Sequence, residues 1–543
     1  MKVQYGLLSA AIVSILAVSG TAQAAKVGGA LKAGHDGAYV RAEGLLAGKA
    51  GKAAHRADAD RFTPTAAIVD RDGTEHVRFN RTYRGLPVIG GDFVLHSKNG
   101  ETRGVSGTLH TALRPGVTAR IPASTALATA RKRFGLRAQQ SSDRLVVYAL
   151  GDKPVLAREV VLHGMRADQT PSEMHYFYDA NTGKLLRQWD AIETARPGGG
   201  GGGATCVAKV GSGLSLTEGT VALDTAKCGT QYQMKDLTRG GGYTTNMAQR
   251  QVGLGTLYTD PDNNWGNGTL SDSVTVAADA HYGVSVTWDY YLDVHGREGI
   301  GDDGVGALSR VHYGRNYQNA FWSDSCFCMT FGDGDNGVTV NPLIALDVAG
   351  HEMSHGVTSR SADLVYDGES GGLNEATSDI MGTMVEYYAN NPNDPADYMI
   401  GEKVYPNNPG YYALRYMFQP SLDGYSPDCY SPGLGGLDVH YSSGVANHFY
   451  YLLAEGAVVP SGFDALGVTQ ASLVCNGNTT ITGVGRDVAS KIWYRALTVY
   501  MTSGSQYVDA RAATLSAAAD LYDQDVVDAV AAAWDAVNVA AGT

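Results

Sequence analysis

The sequence predicts an α+β protein made of several folded units, and three observations carry that prediction. The chain has 543 residues, room for three or four domains of the usual ~100–200 residues. Six consecutive glycines at 198–203, inside Arg196-Pro197 and Ala204-Thr205, cannot pack and read as a flexible linker. Beyond them the pattern changes period. Gly- and Tyr-rich, strand-like sequence gives way at about Leu343 to helical spacing.

Taken in order, the N-terminus reads as a signal peptide over residues 1–24. Lys2 supplies the positive start, residues 7–18 an apolar run too short to span a bilayer, and Ala22-Gln23-Ala24 small residues for cleavage. No later stretch reaches the ~18 apolar residues of a membrane helix, so an exported, soluble product is expected. All six cysteines (Cys206, Cys228, Cys326, Cys328, Cys429, Cys475) follow residue 205, and an even number in an exported chain reads as disulfides. Their pairing is open. Cys326 and Cys328 are close enough in sequence that a bridge between them would be strained; they pair with each other or elsewhere.

Residues 25–195 read as two small α+β units, 25–116 and 117–195. Val77 to Tyr83 and Leu86-Pro87-Val88, divided by Arg84-Gly85, predict paired strands. The second unit opens with a helical stretch over 124–134, then strands over 145–150 and 175–178 and a turn over 179–184. No catalytic constellation lies here. Charge separates this region from the rest: 25 Lys/Arg against 17 Asp/Glu in residues 25–195, and 16 against 38 in 196–543. After the linker a β-rich region is expected first, then helices over 343–359, 373–389, 443–454, 487–502, 510–520 and 526–537.

The decisive element is His351-Glu352-Met353-Ser354-His355 in a helical run. On a helix, residues four apart share one face, so both imidazoles can meet one ion. Zinc takes His nitrogen and carboxylate oxygen, with three protein ligands and an open fourth place in catalytic sites. Glu352, beside the first ligand, is placed to take a proton from an activated water. The third ligand is Glu375, twenty residues after His355, which is expected to start a second helix. Asp379, one turn on, fits the carboxylate that holds a zinc histidine's other N–H. A third histidine six residues after His355, as in metzincins, is absent: that position is Ser361, and Thr358 stands where glycine is needed.

With these motifs in hand, residues from about 250 onward closely resemble the thermolysin family of zinc metalloendopeptidases, most of all its vibriolysin and pseudolysin branch. The resemblance rests on Asp279-Ala280-His281-Tyr282, Asn319-Ala320-Phe321-Trp322, the zinc motif, Glu369-Ser370-Gly371-Gly372-Leu373-Asn374-Glu375, Leu414-Arg415-Tyr416-Met417 and Asp438-Val439-His440-Tyr441-Ser442-Ser443-Gly444. The region before the linker resembles that family's propeptide, a thermolysin-type unit followed by a PepSY-like one. Residues 204–250 depart most from the family.

The resemblance implies further roles. His440 and Tyr366 would donate to the developing oxyanion, with Asp438 orienting His440. Asn319 and the Ala320 backbone would pair with substrate main chain, and Arg415 would bind a substrate carbonyl. Val348 and Leu414 would line an apolar pocket for the residue after the cut. Asp347, Glu386, Asp397 and Glu402, with the Met399 carbonyl, match the family's main calcium site. Met399 stands where thermolysin has another acid, which argues for one ion there. Asp260 and Asp262 resemble a second calcium loop.

The expected protein is therefore a secreted zinc endopeptidase made as a zymogen. A propeptide of two small α+β units precedes a two-lobed catalytic part: a β-rich N-lobe (206–360) and a helical C-lobe (361–543), with the zinc helix in the cleft. Its cofactors would be one catalytic zinc and at least one structural calcium. Protein and peptide chains would be its substrates, its own propeptide its chaperone and inhibitor, released by a cut near 194–196. It would act as a monomer without nucleic-acid or membrane partners. A binding protein on an inactivated protease fold would be expected to have lost Glu352 or a ligand, and none is lost. An exopeptidase would need a clamp on a free chain end, and none is visible.

Overall fold

A computed structural model of the protein describes residues 35–151, 153–191, 206–406 and 412–542. The expected signal peptide, the glycine linker and the expected cut at 194–196 lie outside the described residues.

The N-terminal region is one sheet with helices against it. Helices α1 (Asp36–Leu45) and α2 (Lys49–Ala53) precede strands β1 (Asp60–Val69), β2 (Thr74–Tyr83), β3 (Leu86–Ile89), β4 (Phe93–Lys98) and β5 (Glu101–Gly107). Strand alternation sorts β2 into two faces. Val77 and Phe79 pack with Phe93 and Leu95 under Ala38, Tyr39, Ala42 and Ala50 of the helices, whereas His76 and Arg78 reach residues of the C-lobe. Helix α3 (Ala123–Phe134) buries Ala126, Ala130 and Phe134, one per turn, on Val160, Leu162, Tyr176 and Tyr178. Those last four belong to the second run of strands, β6 (Gln140–Tyr148), β7 (Val155–Met165), β8 (Pro171–Asp179) and β9 (Leu185–Asp190). The two expected units share a single nine-stranded sheet, ordered β5-β4-β2-β3-β6-β7-β8-β9 with β1 on β2. Parallel pairing of Val88 with Val147 and Ile89 with Tyr148 joins the halves.

The N-lobe has two five-stranded sheets. One runs β15-β12-β11-β10-β16 and the other β14-β13-β17-β19-β18. Its strands are β10 (Val207–Leu214), β11 (Thr220–Cys228), β12 (Gln231–Gln233), β13 (Tyr243–Asn246), β14 (Thr256–Leu257), β15 (Thr259–Asp260), β16 (Asn264–Trp265), β17 (Leu308–Tyr313), β18 (Ala320–Ser323) and β19 (Cys328–Gly332). Against them lies α4 (Ser273–His295), a helix of 23 residues. This corrects the expectation that helices begin only near 343. Thr275, Val276, Ala277, Ala278, Asp279, Ala280, His281 and Gly283 are all buried, so the first half of the helix shows no polar face to betray its period.

Helix α5 (Leu346–Ser359) ends the N-lobe, and the C-lobe that follows is helical: α6 (Gly368–Ala389), α7 (Val439–Ser442), α8 (Gly444–Glu455), α9 (Arg486–Arg495), α10 (Tyr507–Leu521) and α11 (Gln524–Ala536), with a π-helical turn Ala496–Tyr500 after α9. A second correction concerns α6. It begins at Gly368, so Glu375 lies two turns inside it rather than at its start. Helices α5 and α6 cross where two glycines meet. A β-carbon on Gly350 would lie 2.9 Å from Gly382 Cα, and one on Gly382 would lie 2.4 Å from the Asp347 carbonyl.

The disulfides are Cys206–Cys228, Cys326–Cys328 and Cys429–Cys475. Among the described residues no helix is long and apolar enough to cross a membrane. The N-terminal sheet contacts both lobes. Arg187 pairs with Asp367, Asp92 accepts from Ser503 N at 3.0 Å, and Gln169 donates to the Arg315 carbonyl at 2.7 Å.

Candidate active site

Helix α5 turns His351 and His355 toward α6, and their Nε2 atoms lie 3.0 Å apart. Glu375 of α6 reaches between them: Oε2 is 3.5 Å from His351 Nε2 and Oε1 is 3.4 Å from His355 Nε2. Each ring gives its other nitrogen to an oxygen. His351 Nδ1 is 2.9 Å from Asp379 Oδ1, and His355 Nδ1 is 2.8 Å from Asn374 Oδ1. The Asn374 amide is oriented by its NH₂, which donates to the Leu364 carbonyl at 3.0 Å. With acceptors on Nδ1, both rings carry their hydrogen there and leave the Nε2 lone pairs facing each other.

Two lone pairs and a carboxylate therefore converge in a buried site. Glu375 has no exposed surface, and its Oε2 has no hydrogen-bond donor. Such a set repels itself without a cation. Two imidazole nitrogens and one carboxylate are donors zinc favours. Glu352 is next along α5, 5% exposed, with Oε2 likewise unpartnered. Burial raises its pKa, an effect that His351 and His355 partly oppose.

Across the site, Tyr366 gives its hydroxyl to Glu375 Oε1 and sits 3.3 Å from His440 Nε2. Asp438 caps α7 by accepting from His440 N at 3.0 Å, and the same Oδ1 holds His440 Nδ1 at 2.7 Å. Loop, cap and imidazole orientation are thus set by one carboxylate.

Asp379 is the buried hub behind His351 and His355. Besides His351 it accepts from Arg415 Nε at 2.7 Å, from a terminal Arg415 nitrogen at 2.5 Å and from Asn447 Nδ2 at 2.8 Å. Burial alone would raise its pKa, but Arg415 and His351 outweigh it and hold the carboxyl well below the usual range. Arg415, expected only as a substrate ligand, is thus also the structural counter-ion of Asp379. Val348 is 6% exposed and Leu414 37% exposed. Ala320 opens β18, which among the described residues pairs only with β19 and so leaves one edge of the sheet unpaired there. Asn319 Oδ1 accepts from the Ala320 N–H at 3.0 Å.

A second acidic group lies at the other end of α5. Asp347, Glu386 and Glu402 bring carboxylate oxygens within 4.8 Å of one another, all buried. Burial raises all three, and repulsion from acidic neighbours adds to it, Asp394 and Asp397 acting on each and Asp347 on Glu386 and Glu402. Asp394, 2% exposed, is a neighbour the sequence did not single out. Asp397 is pushed up to about 6 by burial, although the Met399 N–H, 2.7 Å away, pulls the other way. Asp260 and Asp262 join no such group among the described residues. Their side chains cap their own turn, accepting from Asp262 N, Asn263 N and Asn264 N.

Sequence reasoning also missed Asn374 and Asn447 as partners of the ligand shell. Asn374 had a signal, since it stands in the same helical motif as Glu375; Asn447, 68 residues beyond Asp379, had none.

Comparison with known proteins bears on this geometry. Residues 210–359 match the thermolysin metallopeptidase catalytic domain, 362–539 its alpha-helical domain, and 60–109 the fungalysin/thermolysin propeptide motif. The transglutaminase-activating metalloprotease of Streptomyces mobaraensis is 49% identical over 483 residues; the match takes in 87% of this chain and 60% of that protein. Thermolysin of Alicyclobacillus acidocaldarius subsp. acidocaldarius is 37% identical over 505 residues, 88% of this chain and 86% of that one. The solved precursor of protealysin, from Serratia proteamaculans, is 27% identical with a TM-score of 0.43, covering 55% of this chain and 87% of that one.

Proposed function

The chain belongs to the thermolysin family of metallopeptidases, and from that premise we propose that it is a secreted zinc endopeptidase made as a zymogen. The observation that carries the reading is the convergence of His351 Nε2, His355 Nε2 and Glu375 beside the unpartnered Glu352 carboxylate. His351, His355 and Glu375 would hold the zinc. When bound, zinc would acidify a water and polarise the scissile carbonyl.

The chain's own residues do the rest. Glu352 takes a proton from the attacking water and passes it to the leaving nitrogen. Tyr366 O–H and His440 Nε2–H donate to the oxygen on which negative charge develops. Tyr366 turns from Glu375 to do so, and Asp438 keeps His440 in the donating orientation. The unpaired edge at Ala320, together with Asn319, offers substrate backbone a strand to pair with. Arg415 binds a substrate carbonyl with donors not spent on Asp379. Val348 and Leu414 line the pocket after the cut, which favours Leu, Phe or similar residues there.

Asp347, Glu386, Asp397 and Glu402 are proposed to hold calcium. The Asp260–Asp262 turn lacks a cluster of acids, so the proposal stops at one site. Residues 1–24 would direct export. Residues 25–195, in units divided near 116, would act as chaperone and inhibitor until the cut near 194–196 frees the catalytic lobes, divided near 360. Opposite net charge on the two parts steers their docking, and the tether keeps local concentration high.

The test is hydrolysis of a peptide blocked at both ends, with the product bond mapped and zinc per chain measured. Internal cleavage before a hydrophobic residue is expected. Cleavage only of unblocked peptides, or before acidic residues, would refute it.

A further inference from the structure

The face of β2 and β4 turned away from α1 lies against the C-lobe, and it carries two histidines side by side. His76 and His96 are cross-strand partners, 4% and 7% exposed, with Nδ1 atoms 2.7 Å apart. His96 Nε2 is 2.8 Å from Ser106 Oγ of β5. His76 Nε2 is 2.9 Å from Asp70 Oδ2 and 3.1 Å from a terminal nitrogen of Arg495 on α9. Arg495 also donates to both Asp70 oxygens, at 2.8 and 2.7 Å, and to Asp520 of α10. Tyr500 lies on the His96 ring, centroids 5.0 Å apart, and gives its hydroxyl to Asp520. Arg78, next on this face of β2, donates to the Met501 carbonyl at 2.8 Å and lies beside Asp92, with Asp363 of the C-lobe beyond.

A hydrogen bond between two Nδ1 atoms needs one N–H and one lone pair. The docked pair therefore holds at most three protons on four nitrogens, and one ring is neutral. A fourth proton would set the N–H groups of two imidazolium cations against each other, in a buried place already occupied by Arg495 and Arg78. With the propeptide undocked, this face meets water instead, and an unperturbed histidine takes its proton near pH ~6.5.

We propose that His76 and His96 form an acid-labile latch between the propeptide and the C-lobe, so that uptake of the fourth proton, the one the docked pair cannot hold, releases the interface. The proposal concerns docking and does not depend on which residues catalyse. The sign follows from linkage. In the docked chain, burial first, then His76, Arg495 and Arg78, bring His96 down to about 3. Docking strength is then complete above the free value of ~6.5 and is lost as pH falls toward the docked value, about tenfold per pH unit for one proton.

The test uses the full-length Glu352→Gln chain, with zinc and calcium present so that the lobes are complete. Amide protection factors, corrected for the intrinsic pH dependence of exchange, are measured from pH 8 to pH 5 in residues 74–79, 93–98 and 494–503, with α11 as reference. Over this range ordinary carboxylates stay ionised. Protection of those three segments should fall about tenfold per unit below pH ~6.5 while α11 is unchanged. His96→Gln and His96→Asn can each still bond His76 Nδ1 but take up no proton, and the slope should vanish in whichever folds, as α11 protection reports. Flat protection in the parent chain, or the same slope in a folded His96 variant, overturns the latch. A failed enzyme reading would leave both slopes untouched.

Discussion

Replacing Asp379 with alanine separates two jobs that one carboxylate does at once. Its side chain is fully buried and accepts from His351, from two nitrogens of Arg415 and from Asn447. Losing the bond to His351 Nδ1 frees the ring to turn and to change tautomer, which costs about 10–100-fold in metal affinity. Losing the partner of Arg415 leaves a largely buried cation alone, an effect of ~3–5 kcal/mol. The Arg415 side chain keeps 15% of its surface exposed, which places it near the lower figure, or roughly 6–12 °C in Tm for a unit of 150–250 residues. Arg415→Ala is the counterpart. It should cost similar stability, but Asp379 still holds His351, so zinc affinity should stay within about threefold while KM rises. The double variant Asp379→Ala/Arg415→Met should recover most of the stability and none of the zinc affinity. Zinc dissociation constants from competition with a chromophoric chelator, and thermal unfolding in excess zinc, measure the two quantities separately. Normal zinc affinity in Asp379→Ala, or a double variant no more stable than the single, would refute the division of labour.

Glu352→Gln should keep one zinc per chain, lose nearly all turnover and accumulate as uncut precursor; near-normal hydrolysis would remove it as the base. His440→Ala should lower kcat by roughly 10²–10³-fold, the size of one oxyanion donor, with KM little changed. Stripping calcium should shorten the half-life of mature enzyme at fixed temperature, because Asp347, Glu386 and Glu402 then repel one another at close range; an unchanged half-life would remove that site.

Much of the convergence of His351, His355, Glu375 and Asp379 was legible because its parts are local. His351 and His355 are one helical turn apart, and Glu375 and Asp379 another, so their shared faces follow from helix geometry alone. What was not legible is mostly non-local. Arg415 and Asn447 reach Asp379 from other elements, and no spacing rule connects them. Asp394 acts on the Asp347 group only after the chain folds back. The helix α4 escaped for a different reason: through its first half every face is buried, and there the apolar period that marks a helix disappears. The early start of α6 was hidden by Gly368, Gly371 and Gly372, residues that read as a loop but here allow close contacts, with Val439 at Gly371 and Ser442 at Gly372. The shared propeptide sheet could not be foreseen either, since the β3–β6 join is only two residue pairs long.

The glycine contact between α5 and α6 sets the working tolerance of the whole centre. Two of the three proposed zinc ligands ride on α5 and one on α6, so the gap between the helix axes acts as the jaw opening of a gripping tool, and Gly350 and Gly382 are its stop. His351 follows Gly350 directly, and Glu375 and Asp379 precede Gly382 by seven and three residues. A single methyl group inserted at either glycine would wedge the helices apart beside the Asp347 carbonyl and the His351 backbone, before any of the converging side chains had itself been altered. Variation that spares every histidine and glutamate could thus still abolish metal binding, and a redesign of this scaffold for an ion of another radius would begin at these two positions rather than at the donors.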